Sequence, residues 1–151
     1  MTKARHHLPW SVVLLISWVL LFGAAGVQRL APASDWMEVW SVKVYDTRAG
    51  VPPVMLVDRR IKQAFDGYWV TDIEREQAEG AFEQVCSAHG SAAYTPDNVP
   101  PHMLTLDWWT APVDCTPREP GRYRVDTIWT IELPGGLTKT LRRTSNVFNV
   151  T

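Results

Sequence analysis

The sequence predicts an all-β antiparallel sandwich preceded by one N-terminal transmembrane helix. Three observations lead to this fold class. Residues 8–27 (LPWSVVLLISWVLLFGAAGV) are uncharged and mostly apolar, whereas beyond residue 36 apolar residues recur with the period of two that is typical of strands. The chain also has 11 prolines and nine glycines, most of them beyond residue 30, which suits a turn-rich β protein.

The stretch from Leu8 to Val27 has the length of a membrane span. At about 1.5 Å per residue it forms a helix roughly 30 Å long, which matches the hydrocarbon core of a bilayer. Lys3 and Arg5 precede this stretch and only Arg29 follows it closely. We therefore expect the N-terminus in the cytoplasm and the rest of the chain on the other side of the membrane.

These features divide the chain into four parts. We expect a cytoplasmic basic tail at 1–7, a transmembrane signal-anchor helix at 8–27, a linker at 28–35 and an extracytoplasmic β-sandwich domain at 36–151. The bilayer is then the first partner, through Leu8–Val27. A cleaved signal is the alternative, because small residues offer cleavage sites after Ala25 and after Ala33, and cleavage would give a secreted domain.

Composition excludes some partners and favours others. The 15 basic and 16 acidic residues nearly cancel, so nothing indicates nucleic acid or an anionic membrane surface as a partner. Eight tryptophans are many for this length, and six of them fall in the predicted domain: Trp36, Trp40, Trp69, Trp108, Trp109 and Trp129. Because the chain has no nucleophile elbow, phosphate-binding glycine loop or H-E-x-x-H motif, we expect no enzyme activity and no cofactor.

Alternation of apolar and polar residues predicts about seven strands. In the first, Trp36, Trp40 and Val42 are expected on one face and Met37 and Val39 on the other. Further strands are predicted at Val54–Val57, Phe65–Ile73, Phe82–Ser87 and Met103–Trp109. The strongest pattern is a terminal hairpin, in which Tyr123–Leu133 turns at Pro134-Gly135-Gly136 and returns as Leu137–Val150.

The segment Pro120-Gly121-Arg122-Tyr123-Arg124-Val125, with the hairpin after it, resembles the last two strands of immunoglobulin-like and fibronectin-type extracellular domains. The resemblance implies an immunoglobulin-like sandwich, in which Tyr123 pins a corner and Val125 enters the core. Trp69 would correspond to the core tryptophan of such sandwiches. Cys86 and Cys115 do not flank Trp69 in the antibody-domain pattern, so any bridge here differs from the immunoglobulin one.

Cys86 and Cys115 are the only cysteines, and in an oxidising space they are expected to form one disulfide. Such a bridge closes a loop of about 30 residues and contributes about 2–4 kcal/mol. The alternative is a zinc site in which His89 and His102 complete a set of two cysteines and two histidines. Asp58, Asp72, Glu74 and Asp107 are the acidic residues that a hydrolytic enzyme could use as a carboxylate pair.

Trp108 and Trp109, next to Asp107, are the candidate binding surface. On a strand, adjacent residues point to opposite faces, so one indole is expected outside if the other is in the core. An exposed indole can stack on a sugar or anchor a protein partner, but a loop or the Trp36 strand could also cover it.

Together these observations predict a membrane-anchored, non-enzymatic binding module of the cell envelope, with a protein or glycan partner. Two alternatives stay open. One is an accessory structural subunit of a larger membrane complex, and the other is a small metal-dependent or hydrolytic enzyme.

Overall fold

The computed structural model describes residues 9–111 and 113–151, without the side chains of residues 20–22, 24, 25 and 27–29. The chain divides after Pro32 into two compact units. In the first unit, helix α1 spans Trp10–Leu30. The predicted basic tail at 1–7 lies outside the described residues, as does Leu8.

The expected transmembrane span at Leu8–Val27 is not supported by the structure. In the part of the chain that the structure describes, no helix is both long and apolar enough to cross a membrane. Helix α1 nevertheless carries exposed apolar side chains, among them Trp10, Leu15 and Trp18.

The second unit is all-β and confirms that part of the fold class. A short 3-10 turn at Ala33–Asp35 leads into its elements, which are β1 (Met37–Val44), β2 (Val54–Ile61), β3 (Phe65–Glu76), β4 (Phe82–Tyr94), β5 (Met103–Thr105), helix α2 (Leu106–Thr110), β6 (Gly121–Leu133), β7 (Leu137–Thr144) and β8 (Phe148–Val150). They form two antiparallel sheets. The smaller has the order β1-β2-β5, and the larger has the order β4-β3-β6-β7, with β8 also paired to β6.

The core of this unit consists of alternate residues from the strands of both sheets. On β6, Val125, Trp129 and Ile131 are buried, whereas β1 and β2 contribute Met37 and Met55. This alternation is what a sheet with one face on the core requires. The edges of the two sheets are also joined directly, because Arg143 of β7 donates from Nε to the carbonyl oxygen of Val39 at 2.9 Å.

Strand β1 does not keep the alternation expected from the sequence. A β-bulge between Val39 and Ser41 interrupts its register with β2, so Met37 and Val39 are buried before the bulge and Val42 after it. A bulge adds one unpaired residue and moves later side chains to the other face. The expectation that Trp40 and Val42 share a face is therefore wrong, and Trp40 is 58% exposed.

The predicted strand at Met103–Trp109 is also wrong in its second half. Strand β5 ends at Thr105, where the chain enters the five-residue helix α2. The Leu106 N–H bonds to the carbonyl oxygen of Pro53 at 2.8 Å, and the Thr110 hydroxyl donates to the Leu106 carbonyl at 3.1 Å. These two contacts stabilise a single helical turn. The backbone is therefore not extended after Thr105, and the pairing with β2 ends there.

The terminal hairpin forms where the sequence predicts it. Leu133 pairs with Leu137 across a turn in which Gly135 and Gly136 have φ of 81° and 76°, a conformation that favours glycine. The returning chain breaks after β7 and resumes as β8 on the other end of β6. At the start of β6, the Tyr123 hydroxyl donates to the Glu119 carbonyl oxygen at 2.9 Å.

Candidate functional site, a tryptophan cluster

Four tryptophans meet where α2 lies against the larger sheet, and we call Trp69, Trp108, Trp109 and Trp129 the tryptophan cluster. The rings of Trp69 and Trp108 are stacked, with centroids 5.6 Å apart and planes 10° apart. Trp109 meets Trp69, Trp108 and Trp129 edge to face, at 5.5, 5.0 and 6.3 Å. Both arrangements are the favourable ones for aromatic pairs.

Trp69 is positioned by small residues on the neighbouring strand. Its ring extends from β3 across β4, and a Cβ added at Gly90 would lie 2.2 Å from Trp69 Cζ2. Gly90 is paired directly with Trp69, so this strand position has room for the indole only because it carries no side chain. Trp69 Nε1 also donates to the Trp109 carbonyl oxygen at 3.0 Å, which fixes α2 to the sheet.

Within the cluster, one face of an indole reaches solvent. Trp109 is 1% exposed and belongs to the core, whereas Trp108 is 40% exposed. The backbone N–H of Trp108 donates to Asp107 Oδ1 at 3.0 Å, so the carboxylate is held at the backbone of the residue that carries the exposed indole. A rigid aromatic face next to an acceptor can stack on a sugar ring or an apolar side chain and accept a hydrogen bond from the same ligand.

A surface depression of about 600 Å³ is lined by Asp107 and by the loop that follows α2, but not by Trp108 itself. Asp107, Val113 and Asp114 are among its lining residues. Hydrogen bonds from Thr116 and then from Arg118 lower the pKa of the Asp114 carboxyl to about 2, so it is ionised at neutral pH. Arg118 also lines the depression and pairs with Asp114 at 2.6 Å, so the Asp114 charge is balanced there and Asp107 is the second carboxylate of the lining.

The predicted disulfide between Cys86 and Cys115 is present, with the Cα atoms 5.6 Å apart. It ties β4 to the loop that follows α2. The alternative zinc set is wrong, because both sulfurs are bonded to each other and no thiolate is left to bind a metal. Across the described residues, no group of three or more metal-ligating side chains comes together.

The acidic residues considered for hydrolysis lie on three different elements and are mostly engaged. Glu74, on β3, pairs with Arg124 of β6. Asp72 Oδ1, also on β3, accepts from the Ser87 hydroxyl at 2.6 Å. Asp107 belongs to α2, and Asp58 to β2 in the other sheet.

Sequence reasoning missed two residues that shape this region. Gly90 could have been found from the run of small residues Ala88, Gly90 and Ala92 at alternate positions of β4, since such a run marks space for large rings. Arg59 is buried on β2 with its guanidinium carbon 5.3 Å from the Trp109 ring centroid. An arginine in the sequence carries no signal that it will be buried.

No protein-family model matches the chain, and neither a curated protein nor a solved structure shows significant similarity to it.

Proposed function

We propose that the chain is a non-enzymatic binding module whose immunoglobulin-like sandwich presents the exposed face of Trp108 to a protein or glycan of the cell envelope. The observation that carries this proposal is the exposed indole of Trp108, stacked on Trp69 and bordered by Asp107. The partner and the place of action are both part of the proposal.

Strand order supports the immunoglobulin-like type. In such sandwiches the third strand pairs with the sixth and the sixth with the seventh, and here β3 pairs with β6 and β6 with β7, with β8 also paired to β6. The hydrogen bond from Tyr123 to the Glu119 carbonyl is the contact made by a tyrosine corner. Trp69 lies on the strand that carries the core tryptophan in these folds, while the disulfide to Cys115 departs from their pattern.

Rigidity supports a binding role for Trp108. An aromatic side chain that is already held in place loses little conformational entropy when a ligand covers it. Trp108 is held by ring contacts with Trp69 and Trp109 rather than extending freely into solvent. Removing an aromatic anchor of this kind from an interface costs about 2 kcal/mol or more of binding free energy.

We also propose that Leu8–Val27 attaches the chain to the bilayer, with the β domain on the extracytoplasmic side. This part rests on the uncharged stretch itself, on Lys3 and Arg5 before it, and on the exposed apolar side chains of α1. Cell fractionation with cysteine labelling tests it. A chain recovered from the cytosol with both thiols reduced would refute the location.

The binding proposal is tested by Trp108→Ala in the full-length chain, with Trp40→Ala as the matched control. Both are exposed tryptophans of the same unit, but Trp40 lies at the bulge of β1, on the other sheet from Trp69 and Trp129. Retention on immobilised envelope polysaccharide and on envelope-protein extract is measured for each variant. We expect Trp108→Ala to weaken retention by about thirtyfold, whereas Trp40→Ala retains it.

Two results would contradict the proposal. One is a wild-type chain that neither material retains. The other is equal retention of the wild-type chain and the Trp108→Ala variant, which would place any binding elsewhere. Near-UV circular dichroism of Trp108→Ala shows whether the other tryptophans keep their packing. Co-purification with fixed stoichiometry in mild detergent would instead favour the accessory-subunit alternative.

A further inference from the structure

Arg59 is a buried cation without an acidic partner. It lies on the inner face of β2 and is 2% exposed. Its Nη2 donates to the carbonyl oxygens of Pro100 and Pro101 at 2.8 and 3.3 Å, but Nε and Nη1 have no hydrogen-bond partner. None of the ion pairs among the described residues includes Arg59. An arginine stays protonated at neutral pH, so a full positive charge is buried here with two free donors.

Trp109 adds a further donor beside Arg59, whereas the hydroxyl of Tyr94 can both donate and accept. Trp109, whose ring faces the guanidinium, has a buried Nε1 without a partner. The buried hydroxyl of Tyr94 is also unpartnered, and the positive charge of Arg59 acts on it. Polar atoms that are buried without partners are rare in folded proteins, and several donors together indicate a missing acceptor.

A cavity of about 370 Å³ adjoins this charge and is lined almost entirely by basic and apolar residues. Its walls are formed by Arg59, Arg60, Ile61, Lys62 and His102, together with Pro96 and Val99. Among these residues there is no carboxylate. Glu38 is paired with Lys62, a residue of the cavity wall, at 2.6 Å. Asp97 lies on the same loop as Pro96 and Val99 but does not line the cavity.

The backbone of β2 is also open on this side. Strand β5 pairs only with Val54, Met55 and Leu56, and the next bond on that side runs from the Val57 N–H to the His102 carbonyl oxygen. Since alternate residues of a strand present their N–H groups to the same side, those of Arg59 and Ile61 face the cavity. Within the described residues no strand pairs with them there.

We propose that this cavity is a binding site for a small oxyanion, either a carboxylate or a phosphoryl group, held by Arg59 and Arg60. A buried charge without a counter-ion is strongly unfavourable, and an oxyanion supplies both the opposite charge and the acceptors that the free donors lack. Arg60 is exposed at the cavity wall and can close on the ligand from outside. The site differs from the exposed face of Trp108, so either proposal can fail without the other.

Ligand addition to the full-length chain in a neutral detergent tests the site. Sodium phosphate and sodium acetate are titrated in separate arms, against sodium chloride at the same ionic strength, and the melting temperature and the heat of binding are measured. We expect phosphate, acetate or both to raise the melting temperature by several degrees, because a ligand that binds only the folded state stabilises it. The two arms distinguish a phosphoryl from a carboxylate ligand.

The variants Arg60→Ala and Arg48→Ala provide a matched pair. Both remove an exposed arginine, but Arg48 lies in the loop after β1 and does not line the cavity. We expect Arg60→Ala to weaken binding about tenfold and Arg48→Ala to leave it unchanged. Arg59→Met should abolish the response while leaving the melting temperature without ligand equal or higher, since it removes an uncompensated buried charge.

The proposal is overturned if neither anion changes the melting temperature beyond the chloride control. It is also overturned if Arg60→Ala and Arg48→Ala bind equally, which would mean that the anion acts on the surface at large. A melting temperature of unliganded Arg59→Met well below that of the wild-type chain would mean that the buried charge is already compensated, which also overturns the proposal.

Discussion

An alanine at position 90 is expected to destabilise the β domain by about 2–4 kcal/mol. The added Cβ would lie 2.2 Å from Trp69 Cζ2 and 2.6 Å from Cε2, distances that no relaxed contact allows. Both neighbours are held, because β4 is hydrogen-bonded along β3 and the indole is stacked on Trp108. The ring must therefore move.

The size of the effect follows from what that movement breaks. Forcing extra volume into a packed site costs about 1–3 kcal/mol. Loss of the ring contacts with Trp108 and Trp109 adds about 0.5–1.5 kcal/mol each, and loss of the bond from Trp69 Nε1 to the Trp109 carbonyl adds about 1 kcal/mol. These losses overlap, and alanine gains about 0.5–1 kcal/mol over glycine in a strand.

Urea unfolding of the full-length chain measures this change, and near-UV circular dichroism reports the packing of the indoles directly. Ser91→Ala is the control, because Ser91 is exposed on the opposite face of the same strand. A Gly90→Ala variant with the unfolding free energy and the near-UV spectrum of the wild type would refute the position of Trp69 over β4, and with it the cluster.

Two further predictions concern the bridge and the buried tyrosine. Replacing Cys86 and Cys115 together by alanine should lower the unfolding free energy by about 3–4 kcal/mol, because the bridge closes a loop with a sequence separation of 29. Urea unfolding measures this change. An unchanged midpoint would mean that the bridge does not constrain the unfolded chain. Burial raises the pKa of Tyr94 to about 12, while the positive charge of Arg59 opposes the shift. The pKa of a tyrosine in the unfolded chain is about 10. The stability that Tyr94 contributes is therefore complete below about pH 10 and is lost as the pH rises through 12. Tyr94→Phe should therefore show a smaller loss of stability between these pH values in thermal melts, and an alkaline decline equal to that of the wild type would exclude Tyr94 as its source.

Much of the fold could be predicted because strand alternation and turn chemistry are local. The hairpin of β6 and β7 is the clearest case, since its alternation continues over many residues and the turn has glycine at both positions that need positive φ. The disulfide was predictable from having two cysteines and an expected oxidising compartment. Neither inference needs knowledge of tertiary contacts.

What could not be predicted depends on contacts between elements. The bulge at Trp40 reverses the phase of β1, and a single sequence does not mark which residue of an alternating run is unpaired. Strand β4 continues to Tyr94, well beyond the predicted end at Ser87. The prediction ended early because the later inner positions of β4 are small residues beneath large rings, not large apolar side chains. Small and polar residues alternate there, but the large apolar side chain that fills this part of the core is Trp69 of the neighbouring strand.

The candidate site shows the same division. The sequence singled out Trp108 and Trp109 and expected one inside and one outside, but it assigned them to a strand. The separation arises instead from a helical turn, in which adjacent residues also point in different directions. The stacking partner Trp69 and the cation Arg59 come from distant positions, so only the assembled sheets bring them to α2.

The segment that carries Trp108 is tethered at both ends. Before it, β5 is hydrogen-bonded to β2, and beyond it Cys115 is covalently joined to β4. A single helical turn is too short to hold its own shape in water. Oxidation of the Cys86 and Cys115 thiols therefore adds the second of these two attachments, and in a compartment that keeps thiols reduced the segment with Trp108 would be held from the β5 side alone.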